Sequence, residues 1–438
     1  MAEDPTSAIA ALEAALGRTP STSAPYEHAL LAHRLGVAYA EAGRPEGLHQ
    51  ARSHLERAMS LLDPRFHPVE HARVLTAAGA VRRSMGSPGA ALELFERALS
   101  LAGARVGPDE AAAMANNVGL ALLEVGERDR AVQHFDRAHQ AFDPVTADGR
   151  RGRASAMHNR GLARAASGAP ADLEAAIGDH DAALTEASLD DAPLHHGLIH
   201  HSRGVAAMAL AGQVDGEADR WRLVAIESFG RSLDVFTWPE HRVQHAIGSF
   251  NLGRAWALGG ETEDLRRALL CFEDAVTAFD PRQQAAPWRK AYAALETTEA
   301  ELSGAHPGRS RADHLVALLG TDPVAAPSVV RGRLARWLPL PQQARATALT
   351  TFSHAALRAG GEAGTAALVA LLSAAMELPT VAQEAVLDAI LAVRAAAADD
   401  VERTEIDVVV DRMVGEAVVG PQRVFVRDHL VAGGFERP

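Results

Sequence analysis

The chain has 438 residues but a single cysteine, Cys271, and a single lysine, Lys290. One cysteine excludes an internal disulfide and fits a reducing compartment. Lys290 has no glycine-rich approach, which excludes a phosphate loop; a G-x-S-x-G elbow and a dinucleotide fingerprint are absent too. Aromatic residues make up only 5%, which disfavours a strand-rich fold. Cations are outnumbered, 43 Lys and Arg against 56 Asp and Glu, for a net charge of -13. That balance excludes a broad nucleic-acid footprint, which needs clustered cations to displace counterions. No stretch approaches the ~20 continuous apolar residues of a membrane span. The opening MAEDPTSAIAALEAALG lacks the cationic start and apolar core of a secretory signal. With the arginine-for-lysine bias of a GC-rich bacterial genome, these absences point to a cytoplasmic bacterial protein without nucleic-acid or membrane partners.

What is present is helical. Hydrophobic residues reach 47%, and Ala, Leu and Arg, strong helix formers, are abundant. Six segments align on one glycine: AHRLGVAYA, TAAGAVRRS, NNVGLALLE, HNRGLARAA, HSRGVAAMA and FNLGRAWAL. The glycines are Gly36, Gly79, Gly119, Gly161, Gly204 and Gly253, spaced by 43, 40, 42, 43 and 49. Pro25, Pro68, Pro108 and Pro193 each stand 11 residues before their glycine. Proline suits the first turn of a helix, where its missing N–H costs nothing. After the glycine an Ala–Phe–Ala pattern recurs, as in Ala91, Phe95, Ala98 and Ala131, Phe135, Ala138. Steps of four and three put these residues on one face of a second helix. Each unit is therefore a helical hairpin that must stack on its neighbours. Asp63-Pro64, Asp143-Pro144 and Asp280-Pro281 mark the ends of second helices. The fourth unit departs from the pattern, with no opening proline and His180 where phenylalanine is expected.

The phased glycine, alanine and phenylalanine resemble the tetratricopeptide repeat. The period of about 42 residues and the segments His67-Pro68-Val69-Glu70-His71-Ala72 and Gly107-Pro108-Asp109-Glu110 resemble its longer subclass. That subclass occurs in kinesin light chains and in bacterial arrays attached to CHAT domains. The resemblance implies an all-α fold, a right-handed superhelix of stacked hairpins. The expected organisation is a capping helix in 1–24, six repeats with a closing helix in 25–303, and a helical module in 304–438. In that last part the repeat phase is lost, while helical periodicity persists through Leu368, Leu371, Leu372 and Ala375, and through Ile406, Val409, Val410 and Met413. Pro341, Pro379 and Pro421 punctuate five or six expected helices, with a HEAT-like arrangement as one option.

The resemblance also implies that partners lie in a groove lined by the first helices, facing the residues three and two before each glycine. The expected groove residues are His33, Arg34, Asn116, Asn117, His158, Asn159, His201, Phe250 and Asn251, with Arg254 beside them. Asparagine pairs with both a backbone N–H and a C=O, so Asn117, Asn159 and Asn251 suit an extended peptide. The competing reading is that these groups satisfy neighbouring helices. His196 and His200, one turn apart, have the spacing of metal ligands, but no third ligand is evident and no cofactor is expected. His28, His71, His196 and His245 all lie eight before their glycine, which reads as packing between neighbours. His67-x-x-Glu70-His71 matches a zinc-peptidase pattern, yet Pro68 marks a helix start that leaves His67 outside the helix. No catalytic residue is assigned. The leading expectation is a non-catalytic scaffold or sensor for a protein or peptide. The alternatives are a regulatory subunit of a bacterial signalling, defence or biosynthetic enzyme, and a helical enzyme or metal protein using His195–His201.

Overall fold

The computed structural model describes residues 5–42, 45–102, 104–187, 189–214, 216–323 and 326–435. Among the described residues there are 21 α-helices and no strand, so the fold is all-α. Residues 1–4 of the expected capping segment, and 324–325 and 436–438 of the expected module, lie outside this description. Contacts divide the chain into two units, Met1–Gly248 and Ser249–Pro438.

Unit 1 opens with α1 (Pro5–Arg18). Five hairpins follow: α2 (Pro25–Glu41) with α3 (Pro45–Leu61), α4 (Pro68–Ser84) with α5 (Pro88–Ala102), α6 (Pro108–Glu124) with α7 (Arg128–Ala141), α8 (Ala147–Ala165) with α9 (Pro170–Glu186), and α10 (Pro193–Ala211) with α11 (Ala218–Val235). The prolines Pro25, Pro68, Pro108 and Pro193 each occupy the first position of their helix. The phased glycines are where two helices touch. A Cβ on Gly79 would stand 2.6 Å from the Phe95 ring, and one on Gly119 2.5 Å from the Phe135 ring. Leu55 fills the same place opposite Gly36, Phe229 opposite Gly204, and His180 opposite Gly161. The flanking alanines, such as Ala91, Ala98, Ala131 and Ala138, are fully buried, because only a methyl fits beside the ring at this helix separation. A second glycine series closes the first helices. Gly86, Gly126 and Gly168, seven residues after their partners, have φ of 75°, 86° and 72°. A left-handed residue is the ordinary helix terminator, and glycine takes it without steric cost.

Three of the four histidines eight before the glycine tie their helix to the preceding one, while Nδ1 of the fourth, His196, is buried without a hydrogen-bond partner among the described residues. His28 Nδ1 lies 2.6 Å from the Thr19 carbonyl, His71 Nδ1 2.8 Å from that of Leu62, and His245 Nδ1 2.9 Å from that of Phe236. Each carbonyl belongs to the end of the preceding helix, where backbone acceptors lack intrahelical partners. His67 is the residue before α4 and outside it, as the proline requires.

The helix α12 (Arg242–Ala257) carries the last phased glycine. In unit 2, a Cβ on Gly253 would stand 2.7 Å from the ring of Phe272 on α13 (Thr262–Ala278). The helix α14 (Ala285–Ala305) follows and buries Thr298, the residue in the glycine's place. Seven helices complete the chain, rather than five or six: α15 (Arg311–Thr321), α16 (Ala326–Trp337), α17 (Gln342–Ala359), α18 (Gly361–Met376), α19 (Thr380–Ala395), α20 (Asp400–Ala417) and α21 (Pro421–Ala432). The unexpected helix is α15, which begins at Arg311 within the Gly/Pro/Arg-rich stretch after α14 and is opened by the Ser310–Asp313 capping box, while Gly360 and Gly361, with φ of 57° and 51°, separate α17 from α18. Helices two apart in the chain pack side by side, α15 on α17 on α19 and α16 on α18 on α20, in two layers. The helix α18 is the centre of this core, with Leu368, Leu371, Leu372 and Ala375 all fully buried.

Candidate functional site

On each first helix the residues ten, six and three before the glycine, and one after it, follow steps of four, three and four and share one face. On α2, α4, α6, α8 and α10 every residue in these places is half-buried or exposed, except His158. This is the open stripe of unit 1. At α2 to α6 it is mixed, with His33, Arg73, Thr76, Asp109 and Asn116 among apolar places such as Leu30, Val37 and Leu120, and at α10 it is apolar except for His201. There Leu194, Leu198 and Val205 are 50%, 46% and 41% exposed. The first turns of α12 add the exposed Val243 and Ile247 in the same register. These five residues escaped the sequence reading, which followed only the two places before each glycine. The four–three–four rhythm was the signal that reveals them.

The predicted groove residues fall into three groups. His33, Asn116, Asn117 and His201 are half-buried, and Arg34 is exposed. His158 and Asn159 turn inward, 9% and 8% exposed, and Asn159 Nδ2 donates to Asn116 Oδ1 at 3.1 Å. Asn116 and Asn159 therefore bridge the third and fourth hairpins. Phe250, Asn251 and Arg254 belong to unit 2. There the Arg254 guanidinium lies over Phe250, 5.9 Å from its centroid, and Phe250 packs 5.9 Å from Phe272. Neighbouring charges on the stripe of unit 1 neutralise one another. Arg73 donates twice to Glu110 at 2.6 and 2.8 Å, and Arg83 lies 3.7 Å from Glu124.

Histidines concentrate where the stripe changes character. His180 is fully buried, and its ring lies 5.2 Å from that of His158, which in turn lies 5.7 Å from His195. Burial holds His158 down to about 3 and His180 down to about 4, with Arg203 adding to the effect on His180. Burial also lowers His195, His196 and His201, and brings His200 to about 4. The rings of His196 and His200 are 4.7 Å apart. Among the described residues, no group of three or more His, Cys, Asp or Glu side chains is placed to hold a metal ion. Beside the histidines, Asp179 of α9 is 4% exposed and holds two arginines of α8. Arg160 donates to it at 2.6 Å and Arg164 at 2.8 Å, while Arg160 also pairs with Asp136.

Unit 2 has a cleft of about 530 Å³ between α17 and α20, with His354, Arg358, Glu402 and Glu405 in its wall. Burial pushes the Cys271 thiol up to about 12, so it is a poor nucleophile at neutral pH. No described helix is long and apolar enough to cross a membrane.

The repeat units are tetratricopeptide-like in architecture. No protein-family model and no curated protein sequence matches the chain. Solved structures of similar fold include the apo form of RapI, at 14% identity and a TM-score of 0.46 over 67% of this chain and 94% of that one. A Rap protein complexed with competence and sporulation factor gives 13% and 0.43, over 68% of this chain and 81% of that one. The C-terminal part of a TPR repeat-containing protein from Cytophaga hutchinsonii gives 14% and 0.40, over 66% and 94%.

Proposed function

We propose that the open stripe of unit 1 holds a protein or peptide segment and that the chain acts by binding rather than by catalysis. The observation that carries this reading is a solvent-open face repeated in register on five consecutive first helices, with large apolar side chains at one end. Isolated exposed apolar residues are ordinary, but Leu194, Leu198 and Val205 on one face of α10, with Val243 and Ile247 in register, form a patch. Polar places at α2 to α6 suit a peptide backbone, and apolar places at α10 suit buried anchor side chains. Asn117 is the asparagine best placed for a partner, since Asn159 is committed to Asn116.

The test is selection of a random peptide library on the immobilised full chain, followed by fluorescence titration of the enriched peptides. Leu198→Asp, at an exposed place of the stripe, and Asn117→Ala, at a half-buried place beside it, are expected to weaken binding about tenfold or more, roughly 1.4 kcal/mol, with the thermal midpoint unchanged. Peptides that bind both variants as tightly as the parent chain overturn the proposal.

A further inference from the structure

One place in the repeat is the same six times in geometry and once different in chemistry. Opposite the phased glycine stands Leu55, Phe95, Phe135, Phe229 or Phe272 in five hairpins, and His180 in the fourth. The substitution leaves the packing unchanged: a Cβ on Gly161 would meet His180 Cε1 at 2.6 Å, as one on Gly79 would meet Phe95. Yet both ring nitrogens of His180 and Nδ1 of His158 are buried without a hydrogen-bond partner among the described residues. A phenylalanine would serve this space without any orphaned polar atom, and leaving such atoms unpaired costs stability. We propose that the His158–His180 pair makes the fourth hairpin a proton-sensitive joint, closed when both rings are neutral and opened by acid.

The surroundings give an added proton no counter-charge. On α8, Arg160 and Arg164 face Asp179 and Asp136 and neutralise them. On α10, His195 meets the His158 ring edge-on at 5.7 Å, His196 stands beside it in sequence, and His200 lies one turn on. Arg203 of α10 is a cation near His180, itself paired with Asp181 of α9 and near Glu227 of α11. On α6, the neighbour is the uncharged Asn116. Every free charge facing the pair is thus positive or already matched.

The sign follows from linkage. An unfolded histidine titrates near 6.5, and both folded rings resist protonation well below that. Above pH 6.5 neither state takes the proton and the joint has its full stability. Between pH 6.5 and about 4 the open form gains protons that the closed form refuses. Each ring then raises the opening constant about tenfold per pH unit, and the pair about a hundredfold. His158 holds a place of the stripe's register although its ring turns inward, so opening also disrupts the partner face; that consequence alone rests on the binding reading above.

Hydrogen exchange of the full chain at pH 7, 6 and 5, corrected for intrinsic rates, tests the joint. Opening of α8 to α10 should rise about a hundredfold or more per pH unit well below 6.5, since the buried histidines of α10 add to the pair, and should outpace the histidine-free α5 and α6. His180→Phe should lower that slope by about tenfold per pH unit, and His180→Leu, the residue type of the first hairpin, should do the same if phenylalanine hinders folding. The His180 Cε1–H resonance should keep its neutral-form position down to pH 5. Variants that retain the parent slope, or a His180 resonance that titrates near pH 6.5, overturn the proposal. A library-selected peptide should bind the parent more weakly at pH 5.5 than at pH 7.5, and His180→Phe with less pH dependence. Absence of peptide binding at any pH rejects the groove and leaves the slope measurement standing; a flat slope with strong peptide binding rejects the joint alone.

Discussion

A glycine in the middle of a helix normally lowers its stability by about 1 kcal/mol relative to alanine. In this chain that cost is the condition for hairpin formation, because the opposing ring occupies the space a methyl would need. The prediction separates glycines by what faces them. Gly119→Ala drives a methyl to 2.5 Å from the Phe135 ring, which has no room to move in a fully buried site. Overpacking of that kind costs about 1–3 kcal/mol, and urea unfolding at pH 7 should show the loss. Gly178, mid-helix on α9, meets nothing within 4 Å, so Gly178→Ala should stabilise by about 0.5–1 kcal/mol. Equal effects at the two positions would show that helix–helix contact is not what fixes the phased glycine. His180 belongs to the same scale: one residue type exchanged in one slot changes the pH response of a hairpin while leaving its shape intact.

Elements were legible wherever their cause is local. Pro25, Pro68, Pro108 and Pro193 begin helices because the missing N–H is tolerated in the first turn and nowhere later. Pro341 and Pro379 immediately precede α17 and α19, and Pro421 begins α21, for the same reason. The Gly–Phe contact was legible because four hairpins repeat it in one register, with Leu55 and His180 in the same place in the other two. The candidate site was less so. Its apolar end at Leu194 and Leu198 follows the helix rhythm, but its commitments across hairpins do not: nothing in the local pattern says that Asn159 spends its amide on Asn116, 43 residues away. The same holds for the bond between α8 and α9, where Asp179 gathers Arg160 and Arg164. Removing one partner of a buried charge cluster leaves the others uncompensated, which costs about 3 kcal/mol or more. Asp179→Ala should therefore loosen the fourth hairpin far more than Asp136→Ala, whose carboxylate is 37% exposed. Limited proteolysis between α8 and α9 at neutral pH measures the difference. Similar cleavage of both variants would place the stability of this hairpin in its apolar contacts alone.

At the scale of the molecule, a repeat array owes its cohesion to contacts between neighbouring elements, and unit 2 shows how that chain of contacts continues once the repeat is lost. The helix α13 ends the phased pattern, and α16, some sixty residues later, docks its arginines there. Arg333, 4% exposed, lies 2.9 Å from Glu273 and 3.1 Å from Asp274, and donates to the Leu270 carbonyl at 3.3 Å. Arg336 pairs with Asp274 as well. The two carboxylates are only about a quarter to a third exposed, so solvent screens this network weakly. The helix α16 is thereby fastened to α13 by charge, and Leu270 of α13 joins Leu315 and Phe352 in the apolar core. Arg333→Ala removes the cation from Glu273 and leaves Asp274 to Arg336 alone, and the loss should be about 2–3 kcal/mol after allowance for their partial exposure. The informative measurement is where that loss is felt. If α13 and the helices after α14 form one cooperative body, amide exchange should accelerate in parallel in α13, α15, α16 and α18. Acceleration confined to α16 would mean that the helices beyond residue 304 stand as an independent module, and that the arginines only decorate a joint held by other contacts.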